Sequence, residues 1–100
     1  MIISLKTNQN PYNLMRSCGY YYQETDSKTG QLSFIRSITG SDYPRFHAYV
    51  KKENREVIIN LHLDQKKPIY KGAPAHAGEY SGLVVEKEVE RIKQILSLTN

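Results

Sequence analysis

Arg45-Phe-His-Ala-Tyr-Val50 and Val57-Ile-Ile-Asn-Leu-His-Leu-Asp64 decide the fold of this chain. Each run alternates apolar and polar residues with the period of a strand, and they flank Glu53-Asn54-Arg55-Glu56, a turn-forming stretch. With Asn54-Arg55 as the loop, Phe46, Ala48 and Val50 face Leu63, Leu61 and Ile59. A slip of one residue would turn an apolar set to solvent, so burial fixes the register. The opposite face then sets Arg45, His47 and Tyr49 across from Asp64, His62 and Asn60, and the two histidines stand directly opposite each other.

The neighbouring segments build outward from this hairpin. Tyr20 to Thr25 and Gln31 to Ile38 read as strands around Asp26-Ser-Lys-Thr-Gly30, whose closing glycine suits the left-handed position of a hairpin loop. Leu32, Phe34 and Ile38 are expected to face the core, and Arg36 falls on the same side, where it breaks the apolar pattern. Thr39-Gly-Ser-Asp-Tyr-Pro44 makes a polar turn into the central hairpin. Asn10-Pro11 is a helix start, an N-cap followed by proline at the first helical position, with Leu14, Met15 and Cys18 on one side and Gly19 as the stop. Ile3 and Leu5 alternate with polar neighbours in the manner of a short edge strand. From Gln65 to Gly82 no periodicity is evident, which suggests a long loop of the lid or binding kind. Val85, Val89, Ile92 and Leu96 then recur at helical spacing, with Glu86, Glu88 and Glu90 expected in the first turns and Arg91 and Lys93 later, as the helix dipole favours. The expected fold is a single α+β domain over residues 1–100. It has a short N-terminal helix, a four-stranded antiparallel meander and a C-terminal helix on the same sheet face, in two layers.

Composition narrows the function classes. One hundred residues make one domain, and Ile, Leu, Val and Phe together exceed the roughly 20% below which chains tend to disorder. Eight tyrosines, two phenylalanines and no tryptophan favour a core edged with half-wet aromatic surface. The net charge is +4, and its excess lies in residues 45–71. There Arg45, Lys51, Lys52, Arg55, Lys66, Lys67 and Lys71 outnumber Glu53, Glu56 and Asp64, a pattern that attracts phosphate or acidic partners. Cys18 is the single cysteine, which rules out an internal disulfide and favours a reducing, cytoplasmic setting. At a helix end it meets the negative pole of the dipole, which opposes the thiolate, so a structural role is expected. Met1-Ile-Ile-Ser-Leu5 is too short for a leader, and no apolar run approaches a membrane span, so no membrane partner is expected. The chain has no Walker loop, GxGxxG, GxSxG, HExxH or paired cysteines, and no cofactor is expected.

The His47/His62 face admits three chemical readings. In the first, the two imidazoles act as general base and general acid in cleavage of RNA through its 2′-hydroxyl, with Arg45 or Lys66 stabilising the phosphorane charge. In the second, His47, His62 and Asp64 form a two-histidine, one-carboxylate metal set, to which His76 or Glu79 adds a ligand. In the third, the sheet has a half-wet polar face on which Asp64 pairs with Arg45 and the histidines stack.

Two resemblances bear on these readings. Phe46-His-Ala-Tyr-Val50, Asn60-Leu-His-Leu-Asp-Gln-Lys66 and His76-Ala-Gly-Glu-Tyr80 resemble an uncharacterised family of small bacterial proteins, over most of the chain; this implies no activity. Cys18-Gly-Tyr20, Gly40-Ser41, the His47 strand and the final Ile92-Lys-Gln-Ile-Leu96 helix resemble, in order, HicA-type mRNA interferases. Those are small basic proteins of the double-stranded-RNA-binding fold with a catalytic strand histidine. That family sets its histidine next to Gly-Ser, whereas here Asp42 to Phe46 intervene, so only His47 inherits the implied role. The leading expectation is therefore a small cytoplasmic protein that binds RNA or another nucleic acid through the basic residues, with metal-independent ribonuclease chemistry on the histidine face. The alternative is a protein-interaction or dimerisation module using an exposed tyrosine-rich sheet face, and a small metal-binding protein comes third.

Overall fold

The computed structural model describes residues 1–65 and 77–98, with side chains for 1–65 and 82–97. The element order is β1 (Ile2–Lys6), α1 (Pro11–Ser17), β2 (Tyr21–Thr25), β3 (Leu32–Ser37), β4 (Arg45–Glu53), β5 (Glu56–Asp64) and α2 (Ala77–Leu98). The central hairpin forms in the register that its alternation dictates. Phe46, Ala48 and Val50 oppose Leu63, Leu61 and Ile59, while Arg45, His47 and Tyr49 oppose Asp64, His62 and Asn60. The first set lies in the core. Asn54 turns the chain with φ 55°, a left-handed conformation that asparagine tolerates better than most residues.

The sheet has five strands rather than four, in the order β1-β5-β4-β3-β2. The expected four-stranded meander with a helix at the N-terminus is thus corrected: the chain opens on a strand, and α1 follows it. Strand β1 runs antiparallel to β5, with Ile3 opposite Ile59 and Leu5 opposite Val57. Ile3 is buried and Leu5 packs against the core. Pairing continues past both ends of the strand, since the Leu61 N–H donates to the Met1 carbonyl at 2.7 Å and the Thr7 N–H to the Arg55 carbonyl at 2.9 Å. A five-residue run with two inward positions is too brief for periodicity to separate it from a loop, and long-range pairing is what makes it a strand.

Both helices cover one face of the sheet, as expected. Helix α1 starts where the sequence places it, with the Asn10 side chain accepting a hydrogen bond from the Tyr12 N–H at 2.8 Å and Gly19 at φ 89° beyond its end. Its Leu14 and Met15 are buried together with Val85, Val89 and Ile92 of α2. Helix α2 begins at Ala77, inside the stretch expected to be loop. Gly78 and Gly82 weaken the helical pattern there, and the longer helix moves Glu86, Glu88 and Glu90 out of the first turns. Its last turn holds no basic residue, so the dipole argument does not apply to these charges. Ile38, expected in the core, lies beyond the end of β3 and is exposed.

Arg36 is inward on β3, opposite Phe46, and its partner is Glu88. That carboxylate, only 4% exposed, lies 3.6 Å from Arg36. It accepts hydrogen bonds from the Tyr20 hydroxyl at 2.6 Å and from Arg91 Nε and Nη2 at 2.7 and 2.8 Å. Arg91 also donates to the Cys18 carbonyl at 2.6 Å, tying α2 to the end of α1. Burial raises the Cys18 thiol pKa, in keeping with an inert structural cysteine.

Candidate functional site

The open face of the sheet holds a hydrogen-bonded chain that crosses three strands. His47 on β4 faces Ile35 on β3 and His62 on β5. Its diagonal neighbours, two residues along each adjacent strand, are Ser33 and Asp64. Their side chains reach it: Ser33 Oγ lies 2.6 Å from His47 Nε2, and Asp64 Oδ2 lies 2.9 Å from Nδ1. A neutral imidazole that donates Nδ1–H to Asp64 leaves Nε2 as an acceptor for the Ser33 hydroxyl. Asp64 is held in turn by Arg45 Nε at 3.4 Å, and the Arg45 guanidinium sits 4.7 Å from the centre of the Tyr43 ring. Tyr49 stacks on His47 with ring centres 4.4 Å apart and meets His62 edge-on at 5.8 Å.

On the far side of Ser33, its hydroxyl is also within donating distance of Gln23 Oε1, at 3.0 Å, so Gln23 and His47 Nε2 compete for one proton. Gln23 is the extra residue of a β-bulge between the Tyr22 and Glu24 pairings of β2 with β3. Bulges re-aim side chains, and this one points an amide at a serine that is 4% exposed. A pocket of about 340 Å³ opens beside it, lined by Ser33, Tyr49, Gln31 and the Glu24-to-Ser27 hairpin shoulder.

The residues named from the sequence are distributed as follows. His47 and His62 oppose each other in register, but the two ring nitrogens of His47 are engaged by Ser33 and Asp64. Burial, reinforced by the nearby Met1 ammonium, holds the His62 pKa below its ordinary value despite the attraction of Asp64. Among the described residues no three His, Cys, Asp or Glu side chains are gathered to hold a metal ion; His76 and the Glu79 side chain lie outside them. Lys51 pairs with Glu53 at 2.7 Å. Lys52 and Arg55 are exposed and, among the described residues, form no ion pair. Lys66, Lys67 and Lys71 lie outside the described residues, as does much of the expected 65–82 loop. Ser33 and Gln23 were not singled out from the sequence. Ser33 alternates with Leu32 and Phe34, which places it outward, but its partner on β4 depends on the irregular Thr39-to-Pro44 turn, whose length sets no register.

A second feature lies at the sheet edge. All five residues of β2 are exposed, and the strand has β3 on one side only. Tyr21 is 75% exposed on the open face, while Tyr22 and Tyr12, 47% and 43% exposed, lie on the helical side. There their rings meet edge-on at 5.2 Å and both contact Phe34. A pocket of about 240 Å³ lies among Tyr12, Arg16, Tyr20, Tyr21, Tyr22 and Phe34. No family model matches the chain, and comparison with curated proteins and with solved structures gives no match.

Proposed function

We propose that this domain is a protein-interaction module that receives an extended segment of a partner protein along the outer edge of β2. The observation that carries this reading is the cluster of exposed tyrosines, Tyr12, Tyr21 and Tyr22, flanking that edge on both faces. An edge strand offers a row of backbone donors and acceptors that an added strand satisfies, and pockets for alternate side chains supply the selectivity. Tyrosine gives large contact area at small entropic cost and is enriched in protein interfaces. The aromatic pocket beside β2 suits an apolar or aromatic side chain of the added strand, with Arg16 at its wall favouring an acidic neighbour.

The test is selection of binders from a library of unstructured peptides, followed by affinity measurement. Binders are expected to carry an aromatic or large apolar residue next to an acidic one, and N-methylation at alternate backbone positions should abolish binding. Tyr22→Ala should weaken affinity about tenfold or more, the size of an interface anchor. A second copy of the chain as occupant would appear as concentration-dependent dimerisation lost in the same variant. Binding confined to nucleic acid, falling steeply with salt and lost in Lys52→Ala/Arg55→Ala, would overturn the reading in favour of the basic hairpin.

A further inference from the structure

We propose that Ser33 is a nucleophile, activated by His47, which Asp64 orients, for hydrolysis of small esters bound in the adjoining pocket. Three observations converge on this one hydroxyl. The contacts run in the order a general base needs: Ser33 Oγ to His47 Nε2 at 2.6 Å, then His47 Nδ1 to Asp64 Oδ2 at 2.9 Å. The carboxylate fixes the tautomer, and the arrangement is recognised by geometry and roles rather than by sequence position. The β-bulge brings Gln23 Oε1 to 3.0 Å from the same oxygen, as an acceptor of the Ser33 hydroxyl; a flip of the amide, whose oxygen and nitrogen exchange places, leaves that proton to His47 Nε2. Turned so that nitrogen leads, Gln23 donates to an oxyanion forming on a carbon attached to Ser33 Oγ. The pocket of about 340 Å³ has Ser33 and Tyr49 in its wall, with Glu24 and Asp26 among its polar groups. It lies at the lower end of small-molecule sites, and its carboxylates favour an ester that carries a cationic or hydroxylated group.

In the acylation step Ser33 Oγ bonds to the acyl carbon as its proton passes to His47 Nε2. The tetrahedral oxyanion is held by Gln23. The bond from carbon to the leaving oxygen then breaks, and His47 returns the proton to that oxygen, releasing an alcohol. Water completes the cycle: it gives a proton to His47, attacks the acyl-Ser33 carbonyl carbon, and Ser33 departs with the proton. The net change is ester plus water to acid plus alcohol, with no other reactant.

The experiment treats the folded chain with a fluorophosphonate probe, reads the adduct by intact mass and peptide mapping, and follows hydrolysis of p-nitrophenyl acetate. One adduct at Ser33 is expected. Ser33→Ala should remove both labelling and turnover, and His47→Gln should slow labelling at least about 100-fold, the usual worth of a general base. Asp64→Asn should slow it while moving the pH profile, which loss of a structural contact alone would not do. Should Ser33→Ala fail to fold, Ser33→Cys takes its place, with thiol alkylation by iodoacetamide expected to depend on His47. An unlabelled wild-type chain, label on another residue, or equal labelling in wild type and His47→Gln would each overturn the proposal. Although Gln23 and Glu24 belong to β2, none of these readouts depends on Tyr12, Tyr21 or Tyr22, so Tyr22→Ala separates loss of peptide binding from loss of labelling.

Discussion

At the scale of single residues, Glu88 shows how two apparent faults in a pattern explain each other. Val85, Glu88, Val89 and Ile92 share one helical face, and Leu32, Phe34 and Arg36 share one strand face, so each apolar stripe carries one charge that does not belong. The structure pairs them. An inward arginine and an inward glutamate in a chain this short imply one another, and this much was legible in principle. Assigning Glu88 to a first helical turn hid it, because α2 is already helical at Ala77. Tyr20 and Arg91 complete the site, and burial together with the Glu88 hydrogen bond pushes the Tyr20 hydroxyl far above its ordinary range. A buried carboxylate with this many donors is costly to remove from one side, since the buried Tyr20 hydroxyl loses its acceptor while Arg36 and Arg91, about a third exposed, lose their counter-ion. Glu88→Ala is expected to lower unfolding free energy by about 1–3 kcal/mol, with Glu88→Gln, which keeps the shape and some hydrogen bonding, losing less. Urea denaturation of the three proteins at one temperature checks both size and order. A loss under about 1 kcal/mol would mean that water takes over the role of the carboxylate.

At the scale of elements, the central hairpin was the most legible part because two constraints agree. The apolar triplets demand one register, and Asn54 supplies the turn that this register needs. Asn54 at φ 55° is the single described residue other than glycine with positive φ, so the turn is where the hairpin is most sensitive to a Cβ branch. Asn54→Gly should leave stability unchanged or slightly raised, whereas Asn54→Val should cost about 1–2 kcal/mol, the penalty for left-handed backbone in an ordinary residue. Thermal melts of both variants test the pair, and equal melting temperatures would show that the turn relaxes to another conformation. The candidate site was half legible for a related reason. His47, His62, Arg45 and Asp64 all belong to this hairpin, so its register alone brings them together. Ser33 belongs to β3, whose alignment with β4 passes through a long turn, and Gln23 reaches it only through a bulge. Neither a bulge nor a cross-strand diagonal leaves a periodic trace in sequence.

At the scale of the whole molecule, the added strand decides which edges the sheet presents. With β1 laid along β5, the histidine-bearing strands sit in the interior of the sheet, and the outer edges are β1 and β2. The two edges differ in character: β1 sends Ile3 and Leu5 inward to the core, while β2 is exposed along its whole length. If β1 were a loosely attached flap, its removal from the ladder would uncover β5 and shift the interaction edge to the other side of the molecule. Its packing argues against that. Ile3 opposes Ile59, itself fully buried, and backbone pairing extends past both ends of the strand. Ile3→Ala is therefore expected to cost about 2–4 kcal/mol, the range for truncating a buried aliphatic side chain. This is a large share of the roughly 5–15 kcal/mol that holds a domain folded. For a chain of this length it corresponds to a fall in melting temperature of roughly 8–30 °C. Calorimetry of wild type and variant measures it. A shift of no more than a degree or two would mark β1 as peripheral, leaving β5 as the working edge and moving any strand-adding partner from the tyrosines of β2 to the far side of the sheet.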